Sequence, residues 1–421
     1  MTSKERIQKT LNHIEPDKVA VDFGATGQTG IHIAAIGKLR NYFGLKNEPV
    51  KVLEPFQMLG EIDDELLEIL GGDVIGLNGH LNMFGIPQEN FYEFRTFWGQ
   101  TVLMPEKISP EYDEFGDLIV YPRGDKSTDP SAKMPKTGYF FDATNRVGPV
   151  DEASLNVEDN LEEFGYISDE ELHYWKRLVD RYENSDKALL ANFGGTALGD
   201  VALVPGIQLK NPKGVRDITD WYISTMIRPD FMKELFDRQT DIAIENLKRI
   251  YQVAGNRVDA IFLCGTDFGT QNSTFVDVPV YRDIWMPYYK KVSQWVHENT
   301  RWKLFKHSCG AVEPLIESFI DSGIDILNPV QTNAAGMDPK LLKEKYGRRI
   351  VFWGGGVDTQ KVLPYGSTSD VEKQVIEHLK IFSKGGGYVF NTVHNTQPHV
   401  PVENFVAMLN AIRSFNGDSK L

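Results

Sequence analysis

Residues 303–310 read Lys-Leu-Phe-Lys-His-Ser-Cys-Gly, an apolar run that turns polar and stops on a glycine. Along an extended chain alternate side chains share a face, so His307 and Cys309 point one way and Lys306 and Ser308 the other. Runs of the same form flank it on both sides. AIFLCGTD from Ala260 and ALLANFGG from Ala188 precede it, and IDILNPVQ from Ile324 and RIVFWGGG from Arg349 follow. Farther out stand KVAVDFGA from Lys18, DVIGLNG from Asp73 and GYVFNTVHN from Gly387, which makes eight. Helical patterns lie between them. In RPDFMKELFDRQTDIAIENLKRIYQ, Phe231, Leu235, Ile242 and Leu247 keep near-helical spacing, and PVYRDIWMPYYKKVSQWVHEN leads from the fourth run to the fifth. Strands alternating with helices imply right-handed crossovers and a parallel sheet. Eight such units predict an α/β fold, a (β/α)8 TIM barrel, although the count alone also fits an open doubly wound sheet.

Two regions stand outside the repeat. Ile7, Leu11 and Ile14 recur at helical spacing and predict an N-terminal helical extension ending before Pro16. Residues 84–150 are rich in Pro, Gly, Tyr and Phe and carry the turn signals EFGD and PRGD. They predict a β-rich insertion of short antiparallel strands after the second barrel strand, covering the mouth or making a contact in a homodimer. The acidic stretch DEASLNVEDNLEEFGYISDEEL that follows predicts a solvated helical excursion. No second hydrophobic core is visible, so residues 1–421 read as a single domain.

Composition bounds the function. Of 421 residues 41% are apolar and 25% charged, enough for a large core. A formal net charge of −14 argues against a nucleic-acid surface, which needs excess Lys and Arg. No run approaches the roughly 18 apolar residues of a membrane span, and the first residues lack the apolar centre of a signal peptide. The two cysteines, Cys264 and Cys309, make no disulfide framework. A cytoplasmic protein with reduced thiols is expected.

The chemistry concentrates at the strand ends, where barrel enzymes place their catalytic groups. Imidazole and thiolate are good zinc ligands, so His307 and Cys309 form a candidate pair, and Gly310 lets the chain turn behind them. His394, ending the eighth run, is the best third ligand. Three ligands leave a fourth position open, as catalytic zinc sites do. The alternative is a buried cysteine beside two rim histidines satisfied by hydrogen bonds. Asp267, in the CGTDFGTQ segment ending the fourth run, can orient a ligand, accept a proton or complete the metal set; equally, it can cap a turn. His80, Gln271, Trp353 and Asn391, all near strand ends, are the expected substrate contacts. Cys264 lies inside a strand and reads as a small core residue. His297 and His378 fall in helical patterns and read as surface residues, and His399 is a reserve ligand. FGATGQTG from Phe23 belongs at the mouth, because its glycine spacing matches no phosphate-binding motif.

The succession TDFGTQ from Thr266, RDIWMPYYKKV from Arg282, KHSCG from Lys306, DILNPVQ from Asp325, WGGGVDTQ from Trp353 and PHVPVENFVAML from Pro398 resembles the uroporphyrinogen decarboxylase superfamily. Within it, the chain looks most like the zinc-dependent, corrinoid-linked methyltransferases. The resemblance implies a (β/α)8 barrel and Zn2+ held by the pair His307 and Cys309 with a later cysteine, near whose place this chain has His394. It implies methyl transfer to or from a corrinoid carried on a partner protein, with a small-molecule methyl donor or acceptor. The decarboxylase branch is less similar, since its arginine-rich motif has no counterpart near VDFGATGQTG. A metal-independent decarboxylase acting on a smaller carboxylated substrate, with Asp267 central, is the alternative.

Overall fold

The computed structural model describes residues 1–421. Each of the eight runs forms a short strand: β1 (Ala20–Val21), β2 (Val74–Leu77), β3 (Ala188–Ala191), β4 (Ala260–Cys264), β5 (Lys303–His307), β6 (Ile326–Asn328), β7 (Val351–Trp353) and β8 (Tyr388–Phe390). Consecutive strands from β2 to β8 pair in parallel, and β8 pairs with β1. The remaining seam, between β1 and β2, is joined by Asp73. Its N–H donates to the Val21 carbonyl at 2.8 Å, and its carboxylate accepts the Val21 N–H at 2.9 Å. Gly76 lets the chain after β1 approach, since a Cβ there would lie 2.2 Å from the Ala25 carbonyl oxygen. The sheet therefore curls into a (β/α)8 barrel and is not an open doubly wound sheet.

Side-chain size grades the barrel interior. Ala20, Ala188 and Ala260 begin their strands with small groups, and Phe262, Phe305 and Trp353 follow higher up. The space left at the floor takes Ile7 and Leu11 of the N-terminal helix Ser3–Leu11, which cluster with these residues. Arg6 on that helix reaches the seam aspartate, with Nη1 2.5 Å from Asp73. Ile14, expected on the same buried stripe, is 53% exposed because the helix has ended.

Two four-stranded sheets stand apart from the barrel. One consists of Glu111–Tyr112, Leu118–Val120, Ala132–Met134 and Asp142–Ala143, all after β2. The other joins Phe91–Arg95 and Thr101–Pro105 to Val50–Glu54 and Leu59–Gly60, which precede β2. That partner strand was not legible, because its pairing spans about half a hundred residues of intervening chain. The acidic stretch after residue 150 is less helical than its composition suggests. It holds a 3-10 turn at Val157–Asn160, and a helix begins only at Asp169, where Ser168 and Glu171 form a capping box. No helix is long and apolar enough to cross a membrane.

Candidate metal centre and cavity

Two loops are pressed together at the ends of β4 and β5. Gly310 has φ +89°, and a Cβ there would sit 2.3 Å from the Gly269 carbonyl carbon, so only glycine permits this contact. The approach brings Asp267 against Cys309, whose N–H donates to Asp267 Oδ1 at 2.6 Å. His307, the last residue of β5, points inward and is buried. Its Nε2 lies 3.2 Å from Cys309 Sγ and 3.8 Å from Asp267 Oδ1. His394 arrives from beyond β8, with its ring centroid 5.5 Å from that of His307.

Donor atoms of His307, Cys309 and His394 all lie within 4.8 Å of one another. Zinc–ligand bonds of about 2.0–2.3 Å in a tetrahedron place donors roughly 3.5 Å apart, so the set needs only a modest contraction to fit the ion. Both histidines are turned for it. His307 Nδ1 donates to Asn328 Oδ1 at 2.5 Å, and the Asn328 amide is fixed by donating Nδ2–H to the Trp353 carbonyl at 2.9 Å. His394 Nδ1 lies 2.8 Å from Asn395 Oδ1, and Asn395 Nδ2 donates to Gln57 at 2.8 Å. Each ring then keeps Nδ1–H on an amide oxygen and leaves the Nε2 lone pair free, the usual support for a metal-binding imidazole. Burial holds His307 down to about 4, so its ring is neutral at pH 7. Burial, reinforced by Asp267, pushes the Cys309 thiol up; a bound cation reverses that balance and favours the thiolate.

Above the centre is a cavity of about 570 Å³ whose wall includes His307, His394 and Asp267. Gln28 and Gln397 face it from the loops after β1 and β8, Gln57 from the turn between Val50–Glu54 and Leu59–Gly60, and Phe140 and Phe141 from the insertion. Cys309 lies beside His307 without lining the wall.

The uroporphyrinogen decarboxylase (URO-D) family profile matches residues 208–415. Those residues make up just under half of the chain, and over them it is similar to the uroporphyrinogen decarboxylase superfamily. A uroporphyrinogen decarboxylase of Coxiella burnetii is 25% identical over 101 residues, which cover 24% of this chain and only 26% of that protein's length. A methyltransferase from Methanosarcina mazei shares the fold across 99% of both chains, with a TM-score of 0.56 and 16% identity.

On this barrel the expected substrate contacts do not gather at the cavity. His80 packs on Tyr174, with ring centroids 5.4 Å apart, and faces Glu89 at 3.8 Å. Gln271 is tied into a loop network with Gln331 and the Asn333 carbonyl. Trp353 lies in the barrel interior and donates its Nε1–H to Asp22 at 2.9 Å. Asn391 is fully buried and donates to the Asp22 carbonyl at 2.7 Å. None of the four lines the wall. Proximity to a strand end does not set direction, and these side chains turn to neighbours away from the cavity.

Among the other histidines, His399 meets Tyr139 edge to face with ring centroids 4.7 Å apart, away from the donor set. His378 is buried, contrary to its surface reading, with Nδ1 2.6 Å from the Gly355 carbonyl. Cys264 is buried as expected. Sequence reasoning missed Asp142, Asp200 and Asp217 on the wall. Asp200, in the Gly-rich stretch GGTALGD after β3, carried the one usable signal, an acid beyond a strand end.

Proposed function

We propose that this protein is a zinc-dependent methyltransferase that moves a methyl group to or from a corrinoid carried on a partner protein. The observation that carries this reading is the convergence of His307, Cys309 and His394 beneath an open cavity. His307, Cys309 and His394 would hold zinc with a fourth position open, where the ion would supply Lewis acidity to a bound group. The chain's own residues supply the rest. Asn328 and Asn395 orient the two imidazoles, Asp267 holds the Cys309 backbone, and its carboxylate faces the cavity where it can orient the reacting group.

The decarboxylase alternative is disfavoured by the wall. Recognition of a carboxylated substrate needs free cations, and the only Arg or Lys on the wall, Arg216, is paired with Glu163 at 2.6 and 3.0 Å.

Metal content decides first. Protein purified without added zinc is expected to hold about one zinc per chain, lost in both His307→Ala and His394→Ala. Methyl transfer with a methyl-corrinoid protein is then assayed on the loaded enzyme. No metal in any sample after zinc is supplied would refute the mechanism.

A further inference from the structure

Four carboxylates, Asp142, Asp200, Asp217 and Asp267, stand on the cavity wall. Arg216, with its side chain 1% exposed, is committed to Glu163 and to the Asp159 and Lys213 carbonyls. Of the four acids, only Asp267 meets a basic side chain, the ring of His307 at 3.8 Å. Asp200 accepts the Ala202 and Gly265 N–H groups, Asp217 those of Thr219 and Asp220, and Asp267 that of Cys309. Neutral donors hold these charges in place, and the buried Lys306 ammonium, seated on the Thr266 carbonyl and off the cavity wall, offsets Asp200 only in part. Burial, together with the charge on Asp267, lifts Asp200 to about 6, a load that a cation between the two would relieve. Phe56 and the exposed Phe140 share the same wall, and aromatic faces attract cations with little hydration.

We infer that the cavity takes a cationic methylated substrate, a quaternary ammonium or sulfonium compound, seated between the phenylalanines and the four carboxylates. This rests on the methyl-transfer reading and names its small-molecule donor. Such a donor matches the chemistry. As the methyl leaves, the C–N or C–S bond breaks and its electron pair stays on nitrogen or sulfur, giving a neutral amine or sulfide that needs no proton. The electron pair for the new bond to carbon comes from the reduced corrinoid of the partner. A polycarboxylate or a sulfonated thiol would instead bring its anionic groups against four like charges, with no unpaired Arg or Lys on the wall to receive them.

The test is calorimetric titration of the zinc-loaded protein with choline, with its neutral carbon isostere 3,3-dimethylbutan-1-ol, and with methanesulfonate. Choline is expected to bind about tenfold or more tighter than the isostere, with no binding of the sulfonate. Asp142→Asn and Asp217→Asn should each weaken choline several-fold. Asp217→Asn retains a side-chain oxygen for the helix cap, and Asp142 is exposed, so both variants should keep the wild-type melting temperature. Equal affinity for choline and its isostere, tighter binding of the sulfonate, or no saturable binding at all would overturn the inference. Zinc is counted on the same samples, and the titration reads binding without turnover. Failure of the metal centre and failure of the cation site are therefore told apart.

Discussion

Asn328 fixes the proton of His307: its Oδ1 accepts Nδ1–H at 2.5 Å while its own amide group is anchored on the Trp353 carbonyl. The tautomer of the imidazole is thus set from β6 and β7, one and two strands away in the sheet. Asn328→Ala is expected to weaken zinc about 10–100-fold while all three ligands remain. Competition with a chromophoric chelator measures it, and an unchanged affinity would show that Asn328 does not support the ligand.

Asp267→Asn separates orientation from metal binding. The amide oxygen can still accept the Cys309 N–H, so zinc should be retained at wild-type stoichiometry. Loss of the carboxylate from the wall is expected to lower methyl transfer by at least about tenfold. Unchanged transfer would remove Asp267 from the reaction.

Gly310→Ala tests the contact between the loops after β4 and β5. The added methyl meets the Gly269 backbone, at a φ that L-residues rarely adopt. A loss on the order of 2 kcal/mol or more is expected in denaturant unfolding, together with weaker zinc binding, because relief of the clash moves Cys309. Wild-type behaviour in both would mean that the loops are free to separate.

Asp22→Asn addresses stability against pH. Burial lifts the Asp22 carboxyl to about 6, despite hydrogen bonds from Trp353 and the Ala25 N–H. Its folded pKa exceeds the ordinary carboxylate value, so between about pH 4 and 6 the folded state holds the extra proton. The contribution of this group is therefore present below pH 4 and lost as pH rises through 6. Wild type should lose on the order of 1–3 kcal/mol across that window relative to Asp22→Asn. Parallel pH profiles from urea unfolding of the two proteins would contradict it.

Choline binding and the zinc counts of His307→Ala and His394→Ala complete the set, since they probe the cavity and its floor separately.

The barrel was legible because its signal is local. Each strand is a short apolar run next to its own helix, and strand alternation alone placed His307 and Cys309 on one face. His394 could be nominated because it too ends a strand run, so the ring of strand ends was enough to suggest a meeting point. What the sequence could not specify was direction and charge environment. Trp353 and Asn391 end strands as well, yet they turn to Asp22 inside the barrel. Asp142, Asp200 and Asp217 come from the insertion and from the loops after β3, segments whose spacing carries no period. Their assembly on one wall, without a free cation, depends on which distant loops pack against one another. The linear chain determined the scaffold and the metal-ligand candidates; only the tertiary structure decided which side chains face the cavity, because that follows from contacts between residues hundreds of positions apart.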